Sequence, residues 1–196
     1  MGLGFDPFGL SDDALLRKAI DGERASLDEL FRRYRAVAYR VAHRLLGNEA
    51  DALDAVQEAF IKVLVHLPSF QGRSSFKTWF LRVVSNAALD LGRQRSRREV
   101  LSLDGLGPKF REEAEPLLQP DPARELERLD MRRQLQDALA QLPPAQRQTF
   151  VLHAEAELSY REVADSLEIS IGTVMSRLYY ARQRLRVLLE PAVKPQ

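Results

Sequence analysis

Apolar residues recur at helical spacing along most of the chain, and nowhere do they alternate with polar ones over the length of a strand. A short helix is expected to open at Ser11 or Asp12, either of which can cap it, and to stop near Gly22. Ser26 and Glu29 have capping-box spacing and predict a second helix through Leu30, Tyr34, Val37, Val41 and Leu45, ending at Gly47-Asn48. Leu53, Val56, Phe60, Val63, Leu64 and Leu67 mark the core stripe of a third, stopped by Pro68. A fourth covers SFKTWFLRVVSNAALDLGRQRSRR, apolar at first and cationic at its end.

The pattern then breaks. LSLDGLGPKFREEAEPLLQPDPARE holds four prolines and two glycines and keeps no helical period, as expected of an extended acidic linker. Periodicity resumes near Leu126, with Leu129, Leu135, Leu139 and Leu142 on one stripe. Pro143-Pro144 ends that helix, and Pro144 suits the first turn of the next, which holds Phe150 and Val151. Ser159 and Glu162 form another capping box before a short helix faced by Tyr160, Val163, Ala164 and Leu167. Ser170 can cap a last helix, whose apolar side is Val174, Leu178, Ala181, Leu185 and Leu188. A short helix, a tight turn and a longer helix make a helix-turn-helix pattern. The expectation is an all-α chain of two small helical domains: a tail over 1–11, a domain over 12–98, the linker over 99–125, a helix-turn-helix domain over 126–190 and a tail over 191–196.

Net charge, +1, conceals an uneven distribution. From Gln71 to Arg98 there are seven bases against one acid, from Glu99 to Glu127 eight acids against three bases, and from Ile171 to Leu189 four arginines and no acid. The sum hides two cationic faces with an anionic stretch between them. Thr173, Ser176, Arg177, Tyr180 and Arg184 lie off the apolar side of the last helix, where hydroxyls and guanidinium groups suit phosphates and base edges in a major groove.

With no cysteine in the chain, disulfides and thiolate metal sites are excluded. Its three histidines lie far apart, so no metal or other cofactor is expected. No apolar run reaches membrane-spanning length and the N-terminus has no basic leader, so a cytoplasmic protein without membrane insertion is expected. No nucleophile-base pair or phosphate loop is present, so neither an enzyme nor a small-molecule substrate is expected.

Four stretches in order resemble the extracytoplasmic-function (ECF) group of bacterial RNA polymerase sigma factors: LFRRYRAVAYRVAHRLLGN, DALDAVQEAFIKVL, SFKTWFLRVVSNAALDLGRQRSRR and LSYREVADSLEISIGTVMSRLYYARQRL. The resemblance covers about residues 12 to 190. It implies a promoter-specificity factor that binds core RNA polymerase, directs it to promoters and helps open the DNA. The first domain then binds the minus-ten element, duplex and melted non-template strand, through Phe70, Arg73, Ser74, Lys77, Arg82, Asn86, Arg93 and Arg97. Phe70 has two readings, a pocket for a flipped base or a core aromatic closing a helix corner, and Trp79 is expected in the core. The third helix is expected to dock on the clamp helices of the polymerase's largest subunit through Asp51, Asp54, Gln57, Glu58, Ile61, Lys62 and Val65. The second domain is expected to meet the flap of the second-largest subunit and to bind the minus-thirty-five element through Ser159, Tyr160, Thr173, Ser176, Arg177, Tyr179, Tyr180, Arg182 and Arg184. An anti-sigma factor that wedges between or around the domains is implied as a further partner.

Three positions depart from the family pattern. Met175 and Tyr180 stand where a base is common, which removes phosphate and guanine contacts. Glu168 occupies the inter-helix turn where glycine is common, which implies strain if the turn needs positive φ. The rival reading is a stand-alone helix-turn-helix regulator that dimerises through its N-terminal helices and binds duplex without polymerase.

Overall fold

The computed structural model describes the backbone of residues 9–101 and 122–190, and the side chains of 9–97 and 127–190. The N-terminal tail up to residue 8, the middle of the expected linker and the C-terminal tail lie outside the described residues. Within these, the fold is all α: α1 (Asp12–Ile20), α2 (Arg24–Leu46), α3 (Glu49–His66), a 3-10 turn (Leu67–Ser69), α4 (Phe76–Leu101), α5 (Pro122–Ala140), α6 (Pro144–Ala154), α7 (Tyr160–Leu167) and α8 (Ile171–Leu189). Helices α4 and α5 reach a few residues into the two ends of the segment expected to be linker.

Local capping sets most boundaries. Ser11 Oγ accepts from the Ala14 N–H, Asn48 Oδ1 from the Asp51 N–H and Ser170 Oγ from the Thr173 N–H. At α7 the Ser159–Glu162 box closes in both directions. Helix α2 ends on Gly47 in the left-handed region. The box expected at Ser26 and Glu29 does not form. Helix α2 already begins at Arg24, the Ser26 N–H bonds to the Glu23 carbonyl, and the buried Ser26 Oγ has no hydrogen-bond partner. Nearby guanidinium groups outcompete the backbone for Glu29. Its carboxylate accepts two 2.7 Å bonds from Arg32 and one of 3.0 Å from Arg33. Arg33 also reaches Asp12 at 2.8 Å, tying α1 to α2.

The Arg32 hydrogen bond, opposed by burial and reinforced by Arg33, holds the Glu29 carboxyl at about 2. A carboxyl depressed on folding contributes stability that is present above the unfolded-state value of 4.5 and lost as pH falls towards 2. The urea midpoint of the wild-type chain is therefore expected to drop across that window more steeply than that of Glu29→Gln, and the two curves should converge at the acid end. Parallel curves would contradict the assignment.

Helices α2, α3 and α4 pack around a ring cluster. Phe31 and Phe60 have centroids 4.3 Å apart, Phe60 and Phe80 stack at 5.2 Å, and Phe76 and Phe80 at 5.8 Å. The face that α3 buries is Ala52, Ala55, Val56, Ala59 and Val63. Leu53 and Leu64, expected in the core, are exposed. At about 100° per residue they lie roughly a third to a half of a turn from the alanines. Those small side chains let α2 and α4 approach closely, which makes the alanine side the contact face.

Gly92 sits inside α4, where glycine costs about 1 kcal/mol relative to alanine. A Cβ there would lie 3.5 Å from Leu46 Cδ2, an ordinary van der Waals contact. Gly92→Ala is expected to raise the unfolding temperature by a few degrees. A lower value would mean that α4 and α2 cannot accommodate a methyl group.

In the second domain Pro144 opens α6 after Pro143, as its fixed φ favours. Leu139, Leu142, Ala181 and Leu185 form a small core between α5 and α8. The larger core is continuous across the two domains: Val151, Leu152, Ala156, Leu158, Val163 and Ala164 share one cluster with Leu30, Phe80 and Val84.

Candidate nucleic-acid interface

The 3-10 turn and the loop after it lead into α4, whose first turn is capped by Ser75. Its Oγ accepts from the Thr78 N–H at 3.1 Å. Phe76, Phe80, Leu81, Val84, Ala87 and Ala88 point inward. At helical spacing Arg82, Asn86, Arg93 and Arg97 then share one side of α4. Arg93 pairs with Asp90 at 3.2 Å, an exposed and weak contact. Lys77 lies roughly 140° around the axis from Arg82, so α4 divides the expected basic set between two flanks. Arg73 is exposed and Ser74 half-buried in the preceding loop.

Phe80 is the core aromatic of its pair, at 0% exposure, and Trp79 is only partly buried, which corrects the expectation for Trp79. Adjacent residues lie about 100° apart, and the ring cluster has room for one of them. Trp79 packs instead against Phe70, with centroids 4.7 Å apart, and against Phe76 at 6.1 Å. Phe70 is thus half-buried and braced by an indole at the corner between the 3-10 turn and α4.

Two sides of α3 face outward. Asp54, Gln57, Glu58, Ile61 and Val65 are exposed, and Lys62 pairs with Glu58 at 2.6 Å. Leu53 and Leu64, which sequence reasoning had placed inside, enlarge this apolar patch. Asp51 differs from the rest of its set. It sits in the α3 cap beside Asn48 and forms an ion pair with Arg95 of α4.

In the helix-turn-helix, α7 and α8 meet at Glu168, whose φ of 54° and ψ of 44° put it in the left-handed region. The strain expected of a non-glycine residue in this turn is therefore present. Thr173, Ser176, Arg177, Tyr180 and Arg184 occupy one arc of α8, while Arg182 lies roughly half a turn from Thr173. Tyr179 falls on the flank nearer Arg182, where its hydroxyl accepts from Gln183 Nε2 at 2.6 Å. Met175, Tyr179 and Tyr180 are exposed apolar surface on this helix. Ser159 is committed to the α7 cap, and the ring of Tyr160 packs edge-on to His153 at 5.0 Å. Hydrogen bonds from the Ser159 side chain and backbone hold the Glu162 carboxyl below its usual range. Burial opposes them; Thr78 and Lys77 add to them. Among the described residues no three acidic or histidine side chains are placed to hold a metal ion, and no helix is long and apolar enough to cross a membrane.

Residues 30–98 match the family model for sigma-70 region 2, and residues 132–185 that for sigma-70 region 4. The chain is 30% identical to the ECF RNA polymerase sigma factor SigW of Bacillus subtilis, over 87% of this chain and 92% of SigW. The chain belongs to the ECF family of RNA polymerase sigma factors. The ECF RNA polymerase sigma factor SigE of Mycolicibacterium smegmatis is 35% identical over 84% of this chain, which spans 63% of the length of SigE. Among solved structures, CnrH in complex with the cytosolic domain of CnrY has a TM-score of 0.69 at 25% identity, covering 92% of this chain and 97% of that one. The sigma factor RpoE in complex with the anti-sigma factor NepR from Bartonella quintana has a TM-score of 0.59 at 24% identity, over 83% of this chain and 97% of that one, and so shares the fold.

Beyond these, the two domains meet through side chains that sequence reasoning missed: Gln136, Gln148 and Glu155. Gln148 lies in register with Val151 and Leu152 on α6, so a polar residue on an otherwise buried stripe was the one available signal.

Proposed function

We propose that this ECF sigma factor acts in the cytoplasm as an initiation factor rather than an enzyme. It binds core RNA polymerase, directs it to promoters with two elements, and helps open the upstream edge of the bubble. One observation carries the reading. A single chain presents two cationic helical surfaces, the Arg82–Arg97 side of α4 and the Thr173–Arg184 arc of α8, with a separate acid-ringed apolar face on α3.

Lysines and arginines on α4 supply sequence-independent affinity by releasing counterions from phosphates. The Phe70–Trp79 corner supplies an aromatic surface on which an unstacked base can lie, and Asn86 lies on the neighbouring Arg82–Arg97 side of α4. Opening then needs no ATP. The factor holds the single strand better than the duplex, and that difference offsets the few kcal/mol lost on unstacking. The α8 arc reads the second element in the major groove, with hydroxyls at Thr173 and Ser176 and guanidinium groups at Arg177 and Arg184. The exposed apolar face of α3 docks on the polymerase's largest subunit, and the second domain on the flap of the second-largest. Membership of the family supports control by an anti-sigma protein.

Permanganate reactivity of a promoter fragment tests the opening step. Unpaired thymines are expected only when both the chain and core polymerase are present. Reactivity with polymerase alone, or none with both, would contradict the reading.

A further inference from the structure

The outer side of α8 carries an aromatic pair that the hydroxyls and guanidinium groups named above do not account for. Val174, Leu178, Ala181 and Leu185 are the buried side of this helix. At about 100° per residue Ser176 and Gln183 lie opposite them, with Tyr179 and Tyr180 roughly 50° to either side of that line. The two rings are 57% and 58% exposed and meet edge to face, with centroids 5.4 Å apart. Gln183 Nε2 donates to the Tyr179 hydroxyl at 2.6 Å, which ties Tyr179 to the next turn and makes it a wall for Tyr180. Met175, also exposed, lies one turn before Tyr179 and extends the apolar surface.

The residues that border the pair define what covers it. Arg177 and Arg184 lie beyond Tyr180, and Arg182 and Arg186 beyond Tyr179. No acid occurs between Ile171 and Leu189. A purely apolar partner would leave these four cations unmatched. A major groove has phosphates along both walls and thymine methyl groups on its floor, and so suits the cations and the rings together. Ser176 narrows the choice of base. Its hydroxyl donates to the Thr173 carbonyl at 3.0 Å, so its oxygen is left to accept. Guanine offers two acceptors to the groove, whereas adenine offers an N6 amine and its thymine partner a C5 methyl. Cytosine offers an amine without the methyl. Ser176 and Tyr180 are one turn apart on the outer side, an acceptor beside an apolar ring.

We propose that Tyr180, braced by Tyr179, reads thymine C5 methyl groups in the minus-thirty-five element, so that A·T pairs are selected where Ser176 and Tyr180 face the groove. This rests on the sigma-factor reading and deepens it by naming a specificity-determining residue and the chemical group it selects. Tyr180 stands where the family pattern has a base, so at that point the chain offers guanine no cationic donor. Tyr179 is a positioning residue: it holds the neighbouring ring edge-on and keeps it from folding back along the helix.

The promoter that the full-length chain and core polymerase transcribe best from a random library supplies the probe. Each thymine of its upstream element is replaced in turn by deoxyuridine, which removes the methyl and leaves base pairing unchanged, and binding of the holoenzyme is measured. At one or two thymines affinity is expected to fall about fourfold, the loss for one methyl no longer buried. Tyr180→Ala should weaken binding to the unmodified promoter by a similar factor and abolish the response to those deoxyuridines. Tyr180→Phe should keep the response, because the ring and not the hydroxyl makes the contact. Tyr180 is on the surface, so neither variant should disturb folding. Indifference of the wild-type holoenzyme to every deoxyuridine, an equal response in Tyr180→Ala, or loss of the response in Tyr180→Phe would overturn the proposal. Transcription from the unmodified promoter is read separately. A complex that transcribes yet ignores the methyl groups sinks this inference alone, and absence of transcription sinks the sigma reading with it.

Discussion

Phe80→Ala is expected to cost about 3–5 kcal/mol, the largest loss of stability from any single truncation in the first domain. Phe80 is fully buried and touches Phe31, Phe60 and Phe76, so its ring joins α2, α3 and α4 at one point. Removing it leaves a cavity bounded by three other rings that cannot all collapse inward. The loss is a large part of the 5–15 kcal/mol that holds a typical domain folded. A denaturant titration followed by circular dichroism measures it. Trp79→Ala, one residue earlier, should cost markedly less, because that ring rests on Phe70 at the rim. Equal losses would contradict the placement of the two rings.

The second large effect concerns binding. Ile61 is 61% exposed and Leu64 53%, so replacing each with aspartate should change folding stability by only a few tenths of a kcal/mol. If α3 docks on polymerase through this patch, burying an unpaired carboxylate there is costly. Ile61→Asp with Leu64→Asp is expected to lose about 2 kcal/mol or more of core-polymerase affinity, roughly thirtyfold. Anisotropy of labelled chain titrated with core polymerase measures this. Unchanged affinity would move the docking face elsewhere. Asp51→Ala makes a useful contrast: Asp51 is held by the α3 cap and by Arg95, so its loss should act mainly on stability.

What could be read in the sequence was set by neighbours within one turn. Ser11, Ser159, Ser170 and Pro144 announce helix starts because the bonds they make or omit lie three or four residues away. The same rule misleads at Ser26 and Glu29, where Arg32 and Arg33 capture the carboxylate that a capping box needs. The face of α3 was misplaced because large apolar residues dominate a periodicity reading. Ala52, Ala55 and Ala59 decide the contact by being small. Trp79 and Phe80 are adjacent and equally apolar, so only the assembled ring cluster distinguishes them. The cationic side of α4 and the arc of α8 were legible because both follow from spacing on a single helix. The seam between the domains was not, because Gln148 and Asn86 are 62 residues apart and neither carries a local mark of the other.

The central claim is that this chain directs polymerase to promoters, and run-off transcription on a pooled promoter library tests it most directly. Core polymerase, with and without the chain, is compared with binding of the chain alone to the same DNA. The account predicts transcripts only when both are present, starting a short fixed distance below two shared motifs. Tight, specific duplex binding by the chain alone, with no transcription in the presence of polymerase, would contradict it in favour of a stand-alone helix-turn-helix regulator.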